Sequence, residues 1–182
     1  MNRQISFIFL WAFLPVVFLF SQTRKIESVK GESYITYKIT HPLHEVTAKS
    51  TDVYCVILAD VPQKIIKEVA VQVDVTSFDS GNSNRDSHAM ETVNAITYPD
   101  ARFISTSINP KGDSLVVNGQ LTFHGVKKDI SIEVFPKWMK NSLVVTGDFN
   151  ISLTAFKIQR PSLFLIPISD KCEFTLKQVF NL

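Results

Sequence analysis

The chain of 182 residues is sparing with glycine and proline, six and eight respectively, which excludes a collagen-like repeat and low-complexity segments. Charge of one sign is missing too. Nineteen Lys and Arg face seventeen Asp and Glu, a formal net charge of +2, with both signs scattered and no basic run longer than pairs such as Lys127-Lys128. That balance leaves no electrostatic footprint for nucleic acid. Sequence signatures of common catalytic sites are absent: there is no Gly-x-Ser-x-Gly elbow, no Walker loop, no Gly-x-Gly-x-x-Gly and no His-Glu-x-x-His. Cysteine is limited to Cys55 and Cys172, which cannot make a thiolate zinc site alone.

One long apolar run exists, and it stands at the start. Met1 to Gln4 carries a single charge at Arg3, Ile5 to Phe20 is apolar apart from Ser6 and Pro15, and Ser21 supplies a small residue. The run falls short of the roughly 20 apolar residues that span a bilayer, and Pro15 interrupts it, so residues 1–22 read as a secretory signal peptide cleaved near Ser21 or Gln22. No cysteine lies near the cut, which excludes a lipoprotein anchor. A single domain is expected over residues 23–182, in an oxidising, extracytoplasmic compartment. There Cys55 and Cys172 have two readings. They form one disulfide, stabilising by roughly 4 to 5 kcal/mol through loop closure, or they stay as two buried thiols, the reading their apolar strand-like neighbours favour.

The rest of the chain alternates with a period of two. Ile35, Tyr37 and Ile39 share one parity, as do Val69, Val71, Val73 and Val75, then Leu115, Val117, Gly119, Leu121 and Phe123. Ile130, Ile132 and Val134 follow, then Leu143 to Leu153 at odd positions, and finally Cys172, Phe174 and Leu176. Short polar turns join the runs, such as Asn109 to Asp113 and Lys140 to Ser142. About eight antiparallel strands in one all-β domain must pair as a sandwich or close on themselves. The alternation fails from about Asn84 to Ala95, where Ala89, Met90 and Val93 fall at helical spacing before Pro99, predicting one short inserted helix. Gly119 and Gly147 stand where large apolar side chains are expected, either to let strands coil or to leave interior space.

Three segments are more specific than alternation. Ser77-Phe78-Asp79-Ser80-Gly81-Asn82-Ser83-Asn84-Arg85-Asp86-Ser87-His88 leads from a strand through a polar loop into the helix. Tyr98-Pro99-Asp100-Ala101-Arg102-Phe103 leads back into a strand, and Gly119-Gln120-Leu121-Thr122-Phe123-His124-Gly125-Val126 follows. Together they resemble the YceI-like family of secreted bacterial proteins described as lipid or polyisoprenoid binding, and Lys38 to His44 is similar to that family's early His-containing segment. The resemblance implies a lipocalin-like antiparallel β-barrel closed around a long apolar pocket that holds an isoprenoid or similar chain, in the periplasm or secreted. It further implies binding or transport without catalysis and without a cofactor other than the lipid, and transient contact with a membrane. The stretch from Phe156 to Pro167 is short for the family, which bears on the length of the pocket.

Strand parity and motif position select Phe78, Phe103, Leu121, Phe123, Leu143, Val145, Phe149, Phe174 and Leu176 as pocket walls, with Arg85 and His88 near the mouth and Met90 a further ligand-binding candidate. Arg85, Asp86 and His88 have other readings: Asp, Asn and Ser at a helix start cap its unpaired amides, and an Arg-Asp pair beside a His is also an acid-base arrangement. Capping is preferred. His41, His44, His88 and His124 raise a metal-dependent alternative, against which stands the bonding of each ring to a loop carbonyl.

Overall fold

The computed structural model describes residues 22–182, so the leader expected over residues 1–22 lies, but for Gln22, outside the described residues. Period-two segments become strands, most of them paired with a chain neighbour across a tight turn. They are β1 (Thr23–Glu27), β2 (Tyr34–His41), β3 (His44–Ser50), β4 (Val53–Asp60), β5 (Ile65–Asp74), β6 (Asp100–Lys111), β7 (Ser114–Phe123), β8 (Val126–Trp138), β9 (Ser142–Ser152), β10 (Ser162–Leu163), β11 (Ile166–Pro167) and β12 (Lys171–Asn181). Ten form one antiparallel sheet in the order β1-β4-β5-β6-β7-β8-β9-β12-β2-β3, and β10 and β11 make a separate small hairpin. This is the mostly β, antiparallel, curled architecture expected, with more strands than the eight read from alternation. The additional ones include β1 and β3, which lie at the two ends of the strand order. β1 and β3 carry Arg24, Lys25 and Glu27, and His44, Glu45 and Lys49, among their apolar residues, so their hydrophobic alternation is weak.

The last strand, β12, inserts between β9 and β2 and so joins the two halves of the chain. The sheet then curls until its other end reaches β12. The Ser28 amide donates to the Cys55 carbonyl (2.8 Å) while the Val29 amide donates to the Val179 carbonyl (2.7 Å), linking β4 to β12 through the chain that leaves β1. At the β3 edge, Lys49 and Asp79 exchange both backbone bonds (2.9 and 3.0 Å). These links blunt edges that would otherwise pair with other chains.

The helix α1 (Ser83–Thr92) starts where Asn82 caps it, its Oδ1 accepting the Arg85 amide at 3.1 Å. None of its residues is buried. Its anchoring comes from the residues after it, Val93, which packs on the core, and Ala95, which is buried.

Inside the sheet the apolar residues form two clusters. One gathers Ile57, Phe103, Val117, Ile132, Leu143, Val145 and Phe180. The other gathers Ile151, Leu153, Phe156, Ile158 and Cys172. Leu121 and Phe149 touch both.

The sheet parts in two places. The β5–β6 ladder runs only from Asp74–Asp100 to Ala70–Ile104, ending beside a bulge at Ser105–Ser107, where the Val69 amide donates to Ser105 Oγ at 2.8 Å. The β8–β9 ladder covers only Glu133 to Trp138. At this second parting a 3₁₀ turn, Thr154–Phe156, carries the buried Phe156, which joins Val126 of β8 and Ile151 of β9 in the second cluster. Asp170 holds the approach to that turn: its side chain accepts from Ser152 Oγ (2.5 Å) and the Thr154 amide (2.8 Å), which keeps its carboxyl below the usual range.

Candidate functional site

Alternation on a curled sheet aims one parity of every strand at a common axis, and around that axis lies a cavity of about 80 Å³. Strands β2, β4 to β9 and β12 contribute its wall, including Ile35, Ile57, Val69, Phe103, Val145, Leu176 and Phe180. Among the described residues every side chain in that wall is apolar except Gln178. A groove of about 250 Å³ lies where β5 and β6 part, bordered by Lys25, Leu58, Glu68, Ile104 and Ser105. Ile57 and Val69 stand in the walls of both, so these side chains separate the groove from the interior.

The cavity is smaller than the roughly 150 Å³ apolar void that accepts benzene. In this conformation it is smaller than the long apolar pocket that the resemblance implies. Aromatic rings occupy the missing space. Phe103 lies over Gly119, where a Cβ would collide with the Phe103 ring and the Ile104 carbonyl. Phe149 stacks on Phe174 (4.9 Å between centroids, 9° between planes), and Tyr37 meets Phe78 at 5.2 Å. Gly119 thus makes room for a neighbouring ring, and Gly147 for the Glu133 carbonyl and Val134.

Of the residues selected from sequence, Phe103, Val145 and Leu176 border the cavity. Leu143 packs in the same cluster, Leu121 and Phe149 join the two clusters, and Phe123 and Phe174 pack against the second. Phe78 sits half-buried on Tyr37. Arg85 and His88 are exposed, Met90 is half-exposed, and none of the three borders the cavity. Val93, next after the helix, and Tyr37, which Phe78 meets, pack against the second cluster, so the loop and helix stand beside that cluster. Gln178 was missed. Parity could have found it, since β12 turns Phe174, Leu176, Gln178 and Phe180 to the same face.

The polar motif is a lock for the loop. Asp74 Oδ1 accepts the Thr76 amide (2.7 Å), Ser77 Oγ meets Ser50 Oγ (2.6 Å), and Asp79 Oδ1 accepts the Gly81 amide (2.6 Å). Asp86 Oδ1 accepts the Ser80 amide while the Arg85 guanidinium donates to the Ser80 carbonyl, both at 3.1 Å. Side-chain oxygens thereby satisfy amides that no ladder or helix pairs. Close by, burial first, then the neighbouring Cys172 and Asp86, push the Tyr37 hydroxyl up to about 12.

The histidines are engaged locally. The Leu43 amide donates to His41 Nδ1 (3.2 Å), so Nε2 carries the proton and donates to the Ile166 carbonyl (3.1 Å). His124 Nδ1 donates to the Phe156 carbonyl at 2.9 Å, and His88 lies 3.6 Å from Glu91. Among the described residues no three His, Cys, Asp or Glu side chains group as metal ligands. Cys55 and Cys172 are free thiols in different clusters, and burial pushes each up to about 12.

Comparison with known proteins agrees with this architecture. A family model described as the YceI-like domain matches residues 27–180. Protein YceI of Escherichia coli O157:H7 is 38% identical over 68 residues, 36% of this chain. The match spans only 36% of the length of that curated relative. The crystal structure of BcnA from Burkholderia cenocepacia superposes with a TM-score of 0.76 at 19% identity, covering 84% of this chain and 98% of that one. A polyisoprenoid binding domain from Saccharophagus degradans superposes with a TM-score of 0.66 at 12% identity, covering 88% and 99%. At such identities the likeness establishes the fold.

Proposed function

The chain belongs to the YceI-like family, and on that premise we propose that it is a non-catalytic, extracytoplasmic protein that binds a long apolar lipid, such as a polyisoprenoid, inside its curled sheet. The observation that carries the reading is an interior void with an apolar wall, divided by Ile57 and Val69 from a groove at a break in the β5–β6 ladder. A prenyl or acyl chain gains about 0.8 kcal/mol per buried methylene, so burial alone supplies affinity. Widening the sheet at this break costs no β5–β6 ladder bond beyond Ala70–Ile104 and gives up the Val69 amide to Ser105 Oγ bond, which makes it an inexpensive way in. The chain then grows into the space that Phe103 and its neighbours fill. The similar Saccharophagus degradans domain, named for polyisoprenoid binding, supports the ligand class.

The extracytoplasmic setting rests on the apolar run from Ile5 to Phe20. Exchange of a lipid with a membrane has a feature to use: the tip of the β10–β11 hairpin presents Phe164 and Leu165, 79% and 95% exposed, both at positive φ. Bulky apolar residues held outward on a strained tight turn are suited to dip into an interface.

The test is native mass spectrometry of the protein purified from a bacterial periplasm without detergent. A bound mass that extracts as a prenyl or acyl lipid is expected. Recovery without any lipid, together with no change in unfolding midpoint on adding farnesol, overturns the reading.

A further inference from the structure

We propose that Gln178 is the polar anchor of the interior and that the ligand's buried end is an uncharged hydrogen-bond donor, a chain alcohol rather than its ether, ester or phosphate. The inference rests on the lipid-binding reading above and narrows its ligand class. Gln178 is 5% exposed and stands in the cavity wall among apolar side chains. Its Nε2 donates to the Tyr34 carbonyl at 3.4 Å, which fixes the amide's orientation, because the flipped amide would set two oxygens against each other. Oε1 is then a buried atom with no hydrogen-bond partner among the described residues. Such an acceptor carries an uncompensated desolvation penalty, and a hydroxyl placed against it removes that penalty.

The chemistry of the ligand follows from the sign of the group. An ether or ester presents only acceptors to Oε1 and leaves it unpaired. A phosphate or carboxylate would bury charge, and among the described residues no cationic side chain lines the cavity. An alcohol supplies one donor at the end of a hydrocarbon chain and fits both the wall and the amide.

Displacement of a bound environment-sensitive fluorescent fatty alcohol by farnesol, farnesyl methyl ether and farnesyl phosphate reads this preference. In the unaltered protein farnesol is expected to displace about tenfold more effectively than the ether, with the phosphate weakest, tenfold corresponding to about 1.4 kcal/mol. In Gln178→Met, a substitution of similar length, the preference for farnesol over the ether falls to within about twofold. A shift of the Gln178 side-chain carbonyl ¹³C resonance on adding farnesol, absent with the ether, tests the contact without any substitution. Equal affinities for alcohol and ether in the unaltered protein, or a tenfold preference that survives in a folded Gln178→Met, overturn the anchor while lipid binding stands. If none of the three displaces the fluorophore and the fluorophore itself fails to bind, the lipid-binding reading falls and the anchor with it.

Discussion

Truncating Phe103 to alanine separates the proposed interior site from the alternative that lipid meets only the surface. The ring is 7% exposed and lies over Gly119 at the wall of the void. Removing it forfeits about 1.5 to 3 kcal/mol of transfer free energy. It also opens on the order of 100 Å³, which at about 24 cal/mol per Å³ adds roughly 2.4 kcal/mol. The sum, about 4 to 5 kcal/mol, is the loss expected in urea unfolding followed by far-ultraviolet circular dichroism. Because Gly119 has no side chain to collapse into the gap, the new space should join the existing cavity of about 80 Å³ and more than double it. A lipid that must otherwise displace the ring then binds more tightly, by tenfold or more in the displacement assay. Farnesol at 100 times its dissociation constant restores about 2.7 kcal/mol of the lost stability. A loss below about 1 kcal/mol would show that the ring is not packed as described. The expected destabilisation with no gain in farnesol affinity would refute the interior as the binding site.

Gly119→Ala should cost about 1 to 3 kcal/mol in the same unfolding experiment, because the added methyl meets the Ile104 carbonyl as well as the Phe103 ring. Asn82→Ala removes the cap of α1 and should cost about 1 kcal/mol, with farnesol affinity unchanged if the loop is a lock and not part of the binding site. Alkali is expected to destabilise the fold between pH 9 and 12: Cys55 ionises near 9.0 when unfolded but near 12 when buried, so in that window the unfolded chain holds fewer protons and stability falls as pH rises. Its share is on the order of 4 kcal/mol at most, and Cys55→Ala should flatten the pH dependence of the urea midpoint there. Replacing Phe164 and Leu165 together with serine should weaken sedimentation with anionic vesicles severalfold and leave farnesol binding in solution intact; unchanged sedimentation removes the hairpin tip from the membrane contact.

Local chemistry determined what was legible without coordinates. A period of two with polar turns implies antiparallel strands, because successive side chains must leave a strand on opposite faces. Asn82, Arg85 and Asp86 announced a capped helix start, because short polar side chains satisfy free amides within a few residues of themselves. The same reasoning placed Phe103, Val145 and Leu176 facing inward. It did not reveal β1 and β3 as strands, since neither carries a clear hydrophobic face: β1 is held by β4, distant in sequence, and β3 by its hairpin with β2. Only the tertiary structure decided how much of the inward-facing surface meets itself. The Phe103 ring fills the space beside Gly119 because the β6–β7 register sets them side by side. The β5–β6 ladder stops at Ala70–Ile104 beside the Ser105–Ser107 bulge, and Gln178 ends with a bare acceptor because β12 lies between β9 and β2. Cavity volume, ladder breaks and unpaired atoms are small differences between closely packed surfaces, set by contacts among many strands, and no segment of the chain contains them by itself.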